Sequence, residues 1–322
     1  MSEHNQLTRW AITVTQIAVS VCLLGWLLLY ADFADTKALV ATISPKTLIL
    51  CTVMLAVLVI PASIRWRWFI LRFVTEAMPK PALAIAIRIN SVNVALNQFL
   101  PSTIGGDFYR VLIARSLGLP LLKSMYATLA DRLTALVVLV LVSGPALVIV
   151  MISAGNMLPF SLNIFVVTCV VVVCLFLTCW FGLRHHPVVK KTISLVYVVF
   201  GSARAAGLAT QVVLTSLVIQ LTTLFVMTLI ARAIGIDIDL ILLIGIMAAS
   251  LLASRLPISI AGWGVREGLS VSLFGAFGVS AEPALATSIL YGLTELAAAM
   301  VAVLTTFAGL PLVKFFVKQP SS

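Results

Sequence analysis

Charged residues are scarce in this sequence. Only 10% of its 322 residues are Asp, Glu, Lys or Arg, against 61% hydrophobic, and the mean hydropathy is +1.17. A soluble domain needs far more charge to cover its surface, so the composition excludes one and indicates a polytopic membrane protein. Histidine is scarcer still, with 3 residues. His185 and His186 adjoin in a basic link without a nearby carboxylate, which makes no metal site. The five cysteines, Cys22, Cys51, Cys169, Cys174 and Cys179, all lie in apolar runs. The last three are spaced around a helix with no His beside them, so they read as small packing residues rather than ligands or disulfide partners. The sequence also lacks a nucleotide-binding loop and a nucleophile constellation. No cofactor, no ATP-driven step and no enzymatic activity are expected.

Carboxylates are the rarer charge: 11 Asp and Glu face 21 Lys and Arg, a formal net charge of +10. The basic residues gather in links and at helix ends, not on one soluble face. That pattern speaks against nucleic acid and for membrane orientation and contact with anionic lipid head groups.

Long apolar runs are abundant. A spanning helix needs roughly 20 apolar residues, and full spans are expected at about 10–30, 47–70, 122–151, 160–183, 207–231 and 283–310. The first run is too long for a signal-peptide core and is kept as a span. Asp32, Asp35, Lys37 and Lys46 mark a polar link at 31–46. Arg65, Trp66, Arg67, Trp68 and Arg72 close the second span in the manner of a membrane interface. The links after the second and fourth spans, and both termini, are basic; those at 31–46, 152–159 and 232–239 are close to neutral. All basic links share a side if 81–121 and 240–281 each enter and leave the membrane on the same face. The expected fold is therefore all-α: six full spans plus two re-entrant broken-helix hairpins, with both termini cytoplasmic. It forms a single membrane domain, 1–322, built as an inverted repeat of about 8–153 and about 158–312. An arrangement in which each broken segment crosses fully remains the alternative.

Two stretches interrupt the apolar pattern. Asn97–Arg110 reads Asn-Gln-Phe-Leu-Pro-Ser-Thr-Ile-Gly-Gly-Asp-Phe-Tyr-Arg, and Leu256–Glu267 reads Leu-Pro-Ile-Ser-Ile-Ala-Gly-Trp-Gly-Val-Arg-Glu. Each runs from Leu-Pro through small residues to closely spaced glycines and an Arg. Non-helical backbone at membrane depth survives only where protein buries it or water lines it. A helix restarting after such a break offers free N–H groups to an anion, and arginine adds bidentate donors suited to phosphate. The candidate substrate-binding residues are Asn97, Ser102, Gly105, Gly106, Asp107 and Arg110 in the first break, and Gly262, Gly264, Arg266 and Glu267 in the second. The plainer reading pairs Arg110 with Asp107 and Arg266 with a carboxylate elsewhere. Asn90, Asn93 and Asn97 share one helical face, either as interhelical hydrogen-bond glue or as a substrate path. Asp131, Arg132 and Glu295 sit inside spans; Glu295 lies about twelve residues, or ~18 Å, along its helix. They are candidates for a coupling or buried-charge role, or for a structural pair with a break arginine.

At these residues the chain resembles the lysylphosphatidylglycerol synthase transmembrane-region family, also called flippase-like membrane proteins. The resemblance rests on Asn97–Arg110, the Asp131-Arg132 step and Leu256–Gly268, and covers nearly the whole chain. It implies a membrane protein that moves or accommodates lipids: aminoacylated phospholipids, hopanoid-type lipids or isoprenoid-linked sugars. The soluble aminoacyltransferase domain of the longer synthases is not in this sequence, so lysyl transfer is not expected. The expectation is a flippase of a bacterial inner membrane that moves an anionic lipid through a midplane site. Its partners are membrane lipids and a separately encoded lipid-modifying enzyme. The rival is a non-transporting scaffold presenting lipid to such an enzyme. A third reading, an intramembrane enzyme using Asp107, Asp131 or Glu295 as acid or base, needs a constellation that the sequence does not supply.

Overall fold

A computed structural model of the chain describes residues 18, 20–23, 25–74, 80–99, 104–154, 205–255 and 259–309. Every regular element among them is helical: α1 Ser20–Tyr30, α2 Phe33–Thr42, α3 Pro45–Val57, α4 Val59–Leu71, α5 Leu83–Phe99, α6 Ile104–Ser116 and α7 Leu121–Ala154, then α8 Ala205–Ile234, α9 Leu240–Ser254, α10 Val265–Ala276 and α11 Ala281–Gly309.

Four stretches are long and apolar enough to cross a membrane: Pro45–Leu71, Leu121–Ala154, Thr210–Ile234 and Ala281–Ala308. They correspond to four of the six expected spans. The expected span at 160–183 and the basic link after it lie outside the described residues, as does the start of the first. The supposed polar link at 31–46 is different from expectation, because α2 occupies most of it. Asp32 starts that helix by accepting hydrogen bonds from the N–H groups of Ala34 and Asp35, at 2.8 and 3.4 Å. An acidic N-cap satisfies orphan donors and the helix dipole together, so the charges read as a loop are a helix start.

The two broken stretches fold as antiparallel helix pairs. In the first, Gly106 lies against Asn93 and Asn97, Arg110 reaches Asn90, and Ala114 shares a core with Ala86 and Ile89. In the second, Gly262 lies against Ser254, the Ser270 hydroxyl donates to Ser250 at 2.8 Å, and Leu273 packs in the same core as Leu243 and Ile246. The members have 17 and 13 residues in the first pair and 15 and 12 in the second. Each is shorter than the roughly 20 residues of a crossing.

Packing follows a matched pattern in the two halves. Helix α7 packs on α9, the first arm of the second pair, and α11 packs on α5, the first arm of the first. Likewise α4 contacts α5 as α8 contacts α9, and α6 contacts α7 as α10 contacts α11. Helix α9 is buried on nearly every side, from Leu243 through Leu251, as an all-apolar helix must be. Gly245 lets it in: a Cβ there would sit 2.8 Å from the Ala146 carbonyl of α7. Small residues at such crossings let backbones approach closely.

Overpacking that crossing is expected to be costly. Gly245→Val should destabilise the protein by about 2–3 kcal/mol. Gly275→Ala, in open space on α10, should be neutral or stabilising by up to about 1 kcal/mol. Thermal unfolding of the two purified variants in detergent provides the comparison.

Candidate functional site

A cavity of about 420 Å³ opens where the two helix pairs meet. Arms α5 and α6 supply Asn90, Asn93, Asn97, Gln98, Asp107 and Arg110 to its wall. The second pair contributes Ser254, Arg255 and Ala261, and helices α4, α7, α8 and α11 close the sides. In an apolar chain, so many polar side chains on one surface mean that the surface faces water or a polar ligand.

The wall is organised by an alternating chain of charges. Arg65 on α4 donates from Nε to Asp131 Oδ1 at 2.7 Å and from Nη1 to the Ser216 hydroxyl at 3.0 Å. Asp131 Oδ2 accepts from Arg110 Nη1 at 2.9 Å, and that nitrogen also donates to Asn90 Oδ1 at 3.2 Å. Asp107 continues the chain, taking Arg110 on one oxygen and Arg132 on the other. Arg65, Arg110 and Asp131 are buried, whereas the Arg132 side chain is 36% exposed. The Trp66 ring lies 5.9 Å from the Arg110 guanidinium and adds a cation–π contact. Three arginines therefore share two carboxylates, which leaves one positive charge uncompensated within the chain.

The second break is built differently. Gly264 has φ +88°, a conformation that needs the absence of a Cβ. Its N–H donates to Glu267 Oε2 at 2.6 Å, so Glu267 caps the start of α10. The other carboxylate oxygen accepts from Arg266 Nη2 at 2.6 Å and from the Ser288 hydroxyl at 3.0 Å. Arg266 and Glu267 are 1% and 0% exposed. The Arg266 guanidinium is also held between the Trp263 and Tyr291 rings, at 5.0 and 5.1 Å. The pair lies behind the cavity wall, not on it. Glu295 is on the wall: its side chain is 26% exposed and stands 3.8 Å from Arg266 Nη1.

The candidate residues thus separate. Asn97, Asp107, Arg110, Asp131, Arg132 and Glu295 line the cavity. Asn97 Oδ1 accepts from the Gly106 N–H at 3.0 Å, and a Cβ on Gly106 would strike Asn93 and Asn97. Gly105 and Gly106 open the first turn of α6. Gly262, Gly264, Arg266 and Glu267 shape and brace the second break. Ser102 lies outside the described residues. No group of His, Cys, Asp and Glu among the described residues is arranged to hold a metal ion.

Three wall residues were not singled out in the sequence. Arg65 was read with Trp66 as an interfacial anchor, yet both are buried, at 6% and 0%; the cation is needed inside, opposite Asp131. Arg255 follows the end of α9 and looks like any basic helix terminus. Gln220 is one amide in a long apolar helix, and nothing local marks it.

The charge chain makes Asp131 an energetic keystone. Asp131→Asn leaves the buried Arg65 without an anion and Arg110 with Asp107 alone, and should cost about 3–5 kcal/mol. Adding Arg65→Met should recover part of that loss, a coupling that a double-mutant cycle of unfolding free energies measures directly.

None of the curated proteins matches the chain. A family does: the lysylphosphatidylglycerol synthase TM region matches residues 13–303, nearly the full length, and this protein belongs to that family.

Proposed function

We propose that this protein is a lipid flippase of a bacterial inner membrane, moving an anionic lipid through the cavity between its two helix pairs. The observation that carries the reading is the uncompensated arginine-rich wall at the meeting point of two broken-helix pairs. A 420 Å³ cavity is of a size to hold a polar head group, while acyl or isoprenoid tails remain in the bilayer. Arg110 and Arg132, with Asn97 and the glycine turn at Gly105 and Gly106, would receive the head group. Arg266 and Glu267 would brace the opposite side, and Glu295 would carry a coupling proton or balance Arg266.

We read the two pairs as re-entrant hairpins from opposite leaflets, in an inverted repeat of six full spans. The matched packing of α7 on α9 and α11 on α5 supports this, as does the shortness of the four arms. Rocking of one half against the other would expose the site alternately to each leaflet. The excess of basic residues in the links and at both ends places the termini in the cytoplasm on this reading. No catalytic role is assigned. Besides membrane lipids, the proposed partner is a separately encoded lipid-modifying enzyme.

The test is translocation of labelled phospholipid and labelled isoprenoid phosphate in proteoliposomes containing only this protein. One of the two is expected to cross, and Arg132→Gln, a change at a half-exposed position, should slow it by about tenfold or more, as loss of one charge-assisted contact implies. Arg110→Ala should abolish it. A folded protein that moves no lipid but co-purifies with a lipid-modifying enzyme would replace the flippase by the scaffold reading. Separately, single cysteines at Ser2 and Ser322 should react with a membrane-impermeant reagent only from the cytoplasmic face. Labelling of either from outside would overturn the topology.

A further inference from the structure

The cavity wall has a charge count and an orphan acceptor that together define what it should bind. The wall carries four arginines, Arg65, Arg110, Arg132 and Arg255, against three carboxylates, Asp107, Asp131 and Glu295. Arg266 and Glu267 behind it cancel each other, and the adjoining breaks at 100–103 and 256–258 contain no charged residue. The cavity wall itself therefore holds one surplus positive charge. A cavity lined by a surplus of one sign draws in ligands of the other, and a ligand of charge −1 neutralises this one. A zwitterion leaves it in place; a dianion reverses it.

One of the four wall arginines stands apart. Asp131 is shared by Arg65 and Arg110, and Asp107 by Arg110 and Arg132. Among the described residues, Arg255 makes no side-chain hydrogen bond or ion pair. It comes from the second half of the chain, is exposed, and lines the same cavity as Arg132 of the first half, so two like charges face one space. Tyr291 lines the cavity with it. An anion between Arg132 and Arg255 would turn those like charges into a bridge between the halves.

The second feature is Gln220 on α8, also on the wall. Its Nε2 donates to the Ala135 carbonyl at 3.3 Å, which fixes the amide orientation. Its Oε1 is buried without a donor. A buried acceptor left unpaired costs free energy, and a hydroxyl is a neutral ligand group that supplies a proton without changing the charge count.

We propose that the cavity selects a phosphodiester head group that bears one net negative charge and free hydroxyls, with Arg255 meeting the phosphate and Gln220 accepting from a hydroxyl. This rests on the reading of the cavity as a head-group site, and it extends that reading to ligand class. Glycerol and hexose phosphodiesters share this chemistry.

The experiment measures lipid retained by the full-length protein from defined mixtures, by native mass spectrometry, alongside translocation of the same lipids. The probes are phosphatidylglycerol, phosphatidylethanol (same charge, no hydroxyl), phosphatidylcholine (zwitterionic) and a polyprenyl phosphohexose. Phosphatidylglycerol or the phosphohexose should be retained about tenfold over phosphatidylcholine, the scale of one charge-assisted contact. It should be retained about threefold to tenfold over phosphatidylethanol, the scale of one hydrogen bond. Whichever of the two leads identifies the source. R255Q should erase the first preference and R255K should keep much of it; Q220L should erase only the second. Equal retention of all four lipids, or a charge preference intact in R255Q, overturns the proposal. Translocation without such preference would overturn it while leaving the flippase reading standing. Selective retention without translocation would sink the flippase and leave the ligand class in place.

Discussion

Five side chains, Arg65, Asp131, Arg110, Asp107 and Arg132, hold one another in unbroken alternation of sign, and the first half of the protein is assembled around them. They come from α4, α6 and α7. Burying charge in a membrane protein is tolerable only when each member is paired and hydrogen-bonded. The pairing therefore dictates geometry: α4 and α6 must both pack against α7, and α6 reaches that place by folding back along α5. Gly106 allows the fold-back, since any side chain there would collide with Asn93 and Asn97. The amide face of α5 then serves two ends at once, receiving Arg110 through Asn90 and the Gly106 N–H through Asn97.

The second half solves the same problem with fewer charges. One arginine and one glutamate, adjacent in sequence, form the core of its break, and the glutamate doubles as a helix cap. Two rings and the Ser288 hydroxyl complete the enclosure. Gly292 is part of the same fit, because a Cβ at that position would run into Arg266 and Trp263. The two breaks are similar in sequence and in hairpin geometry yet differ in what they present: the first turns Arg110 toward the cavity, and the second turns Arg266 inward and leaves only Arg255, at the end of α9, on the wall. Such asymmetry is a way for one cavity to have a charged recognition side and a rigid supporting side.

Much of this was legible in the sequence. Proline and paired glycines in otherwise unbroken apolar runs mark where helices stop, so both breaks and both short-armed pairs were readable. Ionisable residues deep in spans stand out because they are expensive there, which is why Asp131, Arg132 and Glu295 drew attention, while Asp107 and Arg110 were marked by the break they lie in. Their partners were less visible. Arg65 lies 66 residues before Asp131, and beside Trp66 it looks like an ordinary boundary anchor. Only the packing of α4 against α7 turns it inward. Arg266 and Glu267 were read as ligand-facing, with Arg266 otherwise paired to a carboxylate elsewhere. Its main partner is instead its own neighbour, and a glycine with positive φ and a cap hold both in the core. Asp32 carried a local signal that is easy to misread, since an aspartate before an apolar turn fits a loop and a helix start equally well.

The charge chain has a consequence for how the protein is made. All five of its members lie between residues 65 and 132, in the first part of the chain to leave the ribosome, and Arg266, Glu267 and Glu295 all lie in the last part. Synthesis proceeds at about 5–20 residues per second, so Arg65 and Arg110 are already present when Asp131 emerges. Each half can thus neutralise its own carboxylates during insertion, without waiting for the other. The halves then meet as nearly finished bodies, joined chiefly by apolar crossings such as Gly245 on Ala146 and by uncharged or carbonyl contacts such as Ser216 to Arg65 and Arg88 to Thr306. Where few salt bridges cross that boundary, as among the described residues, it has little electrostatic cost to slide or reopen.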